Sequence, residues 1–148
     1  MTRKEFITKT SAGLATMAAL STLVAEEGSH AGMKMSSKKE SKYAKAIMAA
    51  IHCKMEAELC LTHCLRELGT GDKMLIGCAN ATREVITACE AFVQLASQDS
   101  KFTGKMASIC EDICKACAKE CKKHENHHQE CKDCMDSCLT CAKEMGKI

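Results

Sequence analysis

Thirteen cysteines in a chain of 148 residues are the residues here whose type and spacing carry chemistry. They stand at Cys53, Cys60, Cys64, Cys78, Cys89, Cys110, Cys114, Cys117, Cys121, Cys131, Cys134, Cys138 and Cys141. Within four groups, successive steps are 7 and 4, then 11, then 4, 3 and 4, then 3, 4 and 3. On a helix that turns about 100° per residue, each step returns to nearly the same azimuth, so each group collapses onto one narrow stripe. The opposite faces carry Glu111, Lys115, Lys119, Lys122, Lys132, Asp133 and Lys143. The sulfur stripe therefore faces the core, and four such helices enclose a tube of thiols.

A small buried hydrophobe is the ordinary role of one or two cysteines, but it does not account for thirteen on matching faces. A disulfide framework is the stronger rival. Helical neighbours at i+3 and i+4 hold their Cβ atoms about 5–6 Å apart, whereas a disulfide needs about 3.5–4.5 Å, so bridges within a helix are strained. Bridges between helices remain open, and an odd count leaves one thiol over. Among soft metals, zinc and iron–sulfur clusters want four ligands converging on a point, an arrangement normally built from C-x2-C turns and not from straight helices. Cu(I) accepts two or three thiolates, and pairs such as Cys60/Cys64, Cys110/Cys114, Cys117/Cys121 and Cys134/Cys138 offer two sulfurs to one ion. Bare thiolates in a core are costly, and a monovalent ion neutralises them near one per sulfur, which implies roughly ten or more Cu(I) per chain.

The elements that must position these residues follow from composition and punctuation. There is no proline, only three Phe, one Tyr and no Trp, and long Ala, Lys, Glu, Leu and Met stretches favour helix. Ser37 with Glu40 reads as a capping box opening a helix that runs to Leu68, where Gly69 and Gly71 break it. Asp72 caps a second helix reaching Ser97, and Gln98, Asp99 and Ser100 form a polar break. A third runs from there to about Lys123. Asn126, with Gln129 three residues on, caps a fourth that ends at Gly146. Short connections between long helices predict an all-α, antiparallel up-down-up-down four-helix bundle with a cysteine-lined core, over residues 38–148.

The first 31 residues read as an export signal. Arg3 and Lys4 lie in a positive leader, Leu14 to Ala25 is apolar but shorter than the roughly 20 residues a membrane span needs, and Ser29-His30-Ala31 offers a cleavage site. Thr2-Arg3-Lys4-Glu5-Phe6-Ile7 resembles a twin-arginine signal, with Lys4 in place of the second arginine. Residues 32–37 are a flexible connection. This predicts an exported or periplasmic protein with no membrane segment in the mature form. A net charge of +2 with interspersed signs and few aromatics argues against nucleic acid as a partner.

The run C-x3-C-x2-C-x3-C at Cys110 to Cys121, with C-x2-C-x3-C-x2-C at Cys131 to Cys141, resembles the bacterial copper storage proteins, and the leader resembles that of their exported branch. The resemblance covers about residues 38–148. It implies cysteine-filled four-helix bundles that hold many Cu(I) ions, commonly as homotetramers, with the exported members tied to copper supply for methane oxidation. It assigns Cu(I) ligation to the thirteen cysteines and implies no catalytic residue. No cysteine has the basic or histidine-paired setting of an activated thiol, so a thiol oxidoreductase has little support. The competing reading is a disulfide-stapled helical structural or interaction protein. Weaker peripheral ligands are expected at the bundle ends: Met106 and Met145 at one end, and Met74 with His63 and the loop of His124, His127 and His128 at the other.

Overall fold

A computed structural model describes residues 41–148; the proposed signal, the connection after it and the Ser37–Glu40 capping box lie outside the described residues. The described chain forms four α-helices and no strand: α1 (Ala44–Gly69), α2 (Ile76–Ser97), α3 (Thr103–Cys121) and α4 (Gln129–Met145). Each helix packs on its neighbours in a ring, α1 against α2 and α4, and α3 against the same two. This is the predicted antiparallel bundle.

The helices begin later than their punctuation predicts. Asp72 does not cap α2; its carboxylate accepts the backbone N–H of Met74 at 2.9 Å and makes a local turn, and the helix starts at Ile76. Asn126 is not the cap of α4 either. His128, in extended backbone at φ −134° and ψ 109°, holds that position without a side-chain cap bond, and the Gln129 amide instead reaches Asp133 at 2.8 Å. Polar side chains in the connections thus fold the turns, leaving the helix starts to be set by packing. Gly146 ends α4 as expected.

Two connections close with the same device. After α1, Gly71 takes φ +102°, so that Asp72 N–H reaches the Glu67 carbonyl at 3.2 Å and Gly71 N–H reaches Leu68 at 3.1 Å. After α2, Asp99 takes φ +51°, with Ser100 N–H bonding Leu95 at 3.0 Å and Asp99 N–H bonding Ala96 at 3.3 Å. These paired bonds satisfy carbonyls that a helix end leaves open, and they need one left-handed residue each.

The core is small-residue throughout. Phe92, Leu75, Met145 and Val85 are the largest fully buried apolar side chains. Around them lie Ala46, Ala50, Ala57, Ala79, Ala88, Ala96, Ala107, Ala118 and Ala142, and all the cysteines. Burying these faces removes apolar surface from water at about 25 cal/mol per Å², and with alanine as the commonest spacer the helix backbones can lie close enough for sulfurs on different helices to meet.

Candidate metal centre

All thirteen cysteines are free thiols with 0% exposure, and every helix contributes sulfurs to one interior. The stripes meet as the spacing requires. Between helices, Cys53 Sγ lies 3.6 Å from Cys138 and 4.0 Å from Cys114, and Cys89 lies 3.8 Å from Cys110. Cys78 is 3.5 Å from Cys121 and 3.7 Å from Cys131, and Cys60 is 3.6 Å from Cys78 and 3.9 Å from Cys131. Cys117 touches Cys134 at 4.0 Å and, within α3, Cys121 at 3.9 Å. These contacts are too long for disulfide bonds and right for neighbouring ligands of shared soft ions.

Four groups have the sulfurs of each within 4.8 Å of one another: Cys53/Cys89/Cys114/Cys141, Cys60/Cys64/Cys78/Cys131, Cys60/Cys121/Cys134 and Cys117/Cys134/Cys138, the last three linked through shared Cys60 and Cys134. The first takes one residue from each helix. Four-ligand convergence, which the straight stripes argue against, is therefore present: a bundle brings together from different helices what one helix cannot. Cys110 stands outside these groups and joins the network through Cys89.

Hydrogen bonds among the thiols split their acidities. Cys60, Cys89 and Cys114 are pushed up, first by bonding to Cys121 for Cys60 and to Cys110 for the other two, with burial acting in the same direction. Cys121 is pulled down to about 6, with its bond to Cys117 the largest cause. Donors stay protonated and an acceptor takes the charge, so the network concentrates negative charge on a few sulfurs where a cation is welcome.

The bundle ends differ. At one, Met145 is 2% exposed and buried in the core, with Met106 packed partly against it. At the other, His63 is 9% exposed, its Nε2 lies 2.9 Å from His128 Nδ1, and its Nδ1 lies 3.4 Å from Glu130. His124 stacks edge-on beside His128 with ring centroids 6.4 Å apart, and its buried Nε2 has no hydrogen-bond partner. Met74, expected at this end as a ligand, is 71% exposed, because the turn made by Asp72 places it before α2 begins. His127 is exposed too. His63, His124 and His128 meet at this end as the sequence leads one to expect; the place of Glu130 beside His63 is not legible in spacing, since it arises where the start of α4 meets the end of α1.

With this geometry the chain has clear likenesses. Residues 39–148 match the family model described as copper storage protein. Over 98 residues the chain is 36% identical to the "uncharacterized cysteine-rich protein YhjQ" of Bacillus subtilis (strain 168), a match that covers 66% of this chain and 87% of that protein. The apo form of copper storage protein 3 from Bacillus subtilis superposes with a TM-score of 0.62 at 34% identity, over 70% of this chain and 94% of that one. The Cu(I)-bound copper storage protein BsCsp3 does so with a TM-score of 0.65 at 34% identity, over 72% and 97%.

Proposed function

The chain belongs to the copper storage protein family, and from that premise we propose that it stores many Cu(I) ions on its core thiolates and buffers or supplies copper outside the cytoplasm. The observation that carries this reading is the unbroken set of buried sulfurs, each in contact range of sulfurs on other helices, with all thirteen free. A site for one ion needs at most four of them, and the other nine offer ligands for more ions. That all thirteen are free, with sulfur contacts of 3.5–4.0 Å, speaks against the disulfide-stapled alternative. The role is a holding one and no residue acts as a catalyst.

Copper is here cargo. Each ion displaces thiol protons, and the positive charge it brings offsets the thiolates it creates, so a filled core is nearly neutral. The histidine end is the better mouth. His63, next to Cys64 at the end of α1, and His128 and the unpartnered His124 Nε2, before the first sulfur of α4, gather at one end, where exchangeable imidazole ligands can hand an ion to Cys64 and Cys131. Met145 and Met106 pack the other end, where a thioether is both plug and weak ligand. Export through the leader at residues 1–31 and a homo-oligomer, a tetramer by likeness to the family, complete the proposal. No helix among the described residues is long and apolar enough to cross a membrane.

Anaerobic titration of the reduced protein with Cu(I), against a competing chelator and with metal counted by mass spectrometry, tests the central statement. Uptake of roughly ten or more ions per chain with helicity retained is expected from the neutralisation argument. Saturation at one or two ions, or thiols already oxidised before reduction in the purified protein, would sink it. Fractionation of cells expressing the full chain tests export.

A further inference from the structure

One quartet has a geometry that Cu(I) storage does not require. Cys60, Cys78 and Cys131 form a nearly equilateral triangle of sulfurs with edges of 3.6, 3.7 and 3.9 Å, and Cys64 lies within 4.8 Å of all three. Four thiolates around a tetrahedral ion with bonds of about 2.3 Å stand about 3.8 Å apart, whereas three in a plane around an ion at that bond length stand about 4.0 Å apart. The three edges of the triangle bracket the tetrahedral value and fall short of the planar one, and Cys64 stands close enough to close the fourth corner.

We propose that Cys60, Cys64, Cys78 and Cys131 form a tetrathiolate site for one tetrahedral divalent ion of the zinc type. This role is separate from Cu(I) storage and does not depend on it. The ion ties three helices together, with two ligands from α1 and one each from α2 and α4. Its binding is proton exchange without redox: four S–H bonds break, four protons leave, four metal–sulfur bonds form, and the metal keeps its oxidation state. The product carries a residual charge of two minus. Such a charge is tolerated best at an end of the tube, and this quartet holds the last cysteine of α1 and the first cysteines of α2 and α4, all at the histidine end. Cu(I), softer and present in excess during loading, displaces the divalent ion, so the site is occupied in the copper-poor protein.

The test uses the full chain, reduced and anaerobic, with Co(II) as the spectroscopic probe and Zn(II) as competitor. The expected result is one Co(II) per chain, with the strong visible bands and sulfur-to-metal charge transfer of tetrahedral thiolate coordination, bleached by one equivalent of Zn(II). Zn(II) alone raises the thermal midpoint. Cys78→Ser and Cys131→Ser each weaken Co(II) binding at least tenfold, while Cys110→Ser, at a core thiol outside the quartet, leaves it unchanged. Helicity is followed in every variant; should Cys78→Ser fail to fold, Cys64→Ser at the end of the tube decides. Absence of the thiolate bands, bands that survive the quartet variants, or the weak spectrum of a histidine-bound Co(II) overturns the assignment. Cu(I) capacity is read separately, so failure here leaves storage standing and the reverse holds too.

Discussion

At the scale of single residues, a core cysteine does two jobs, filling space in the apo protein and ligating in the loaded one, and protonation separates them. The raised thiols Cys60, Cys89 and Cys114 hold their protons in the fold. An unfolded thiol ionises near pH 8.5, so the stability these three give is fully present below that pH and is lost as pH rises above it, at up to about 1.4 kcal/mol per group per pH unit. Cys121, pulled down to about 6, runs the other way: its contribution is present above the ordinary thiol range and lost as pH falls through about 6. Thermal melts of the reduced apo protein should therefore fall off above pH 9, and Cu(I) loading should flatten that alkaline decline. An apo melt that does not change between pH 8 and 10 would contradict the protonation pattern. His63 makes a second prediction at this scale. His63→Ala should slow Cu(I) uptake from a chelator complex several-fold, read by stopped flow, and leave the final ion count unchanged; an unchanged rate would place the entrance elsewhere. The thirteen cysteines were legible because types and spacing define them. The exposure of Met74 was not legible, because helical phase does not fix the direction of a side chain that sits before the helix starts.

At the scale of elements, the number of helices, their approximate extents and their order were legible, and their first turns were not. Spacing reports which face is buried, a property of the whole helix, while the start depends on which of several polar side chains wins a backbone N–H. Ser100 and Asp72 both turn inward on their own loops: Phe102 N–H donates to Ser100 Oγ at 3.3 Å, much as Met74 N–H donates to Asp72. The C-terminal ends read better, since Gly71 lies where a left-handed residue is needed. Asp99 occupies the same role without glycine's freedom, at φ +51°. Its ion pair to Lys42, at 3.6 Å between exposed side chains, adds little. Asp99→Gly should accordingly stabilise the protein by up to about 1 kcal/mol, the cost of a left-handed conformation less the entropy glycine adds to the unfolded chain. Denaturant melts of the two proteins check it, and a destabilised variant would show that the aspartate side chain itself holds the turn. Convergence of four sulfurs from different helices was not legible, because single-helix periodicity fixes azimuth and says nothing about register between neighbours.

At the scale of the whole molecule, the helical scaffold is kept apart from its contents. Phe92, Leu75, Val85 and Met145 supply the large apolar contacts, and the sulfur network occupies the space between alanine-lined stretches. Substitution at Phe92 should therefore cost what a large cavity costs, about 3–5 kcal/mol for Phe92→Ala, whereas Cys110→Ser should cost far less and remove only a share of the cargo. The separation has a consequence for descent. On the core stripe of α1, Ala57 is fully buried midway between Cys53 and Cys60, and on α2 Thr82 and Val85 are fully buried between Cys78 and Cys89. A side chain at any of these three points inward at a position where a sulfur would join its neighbours, and alanine, threonine and valine differ little in size from cysteine. Holding capacity is thus a trait that a lineage can raise or lower one codon at a time while the architecture is inherited unchanged.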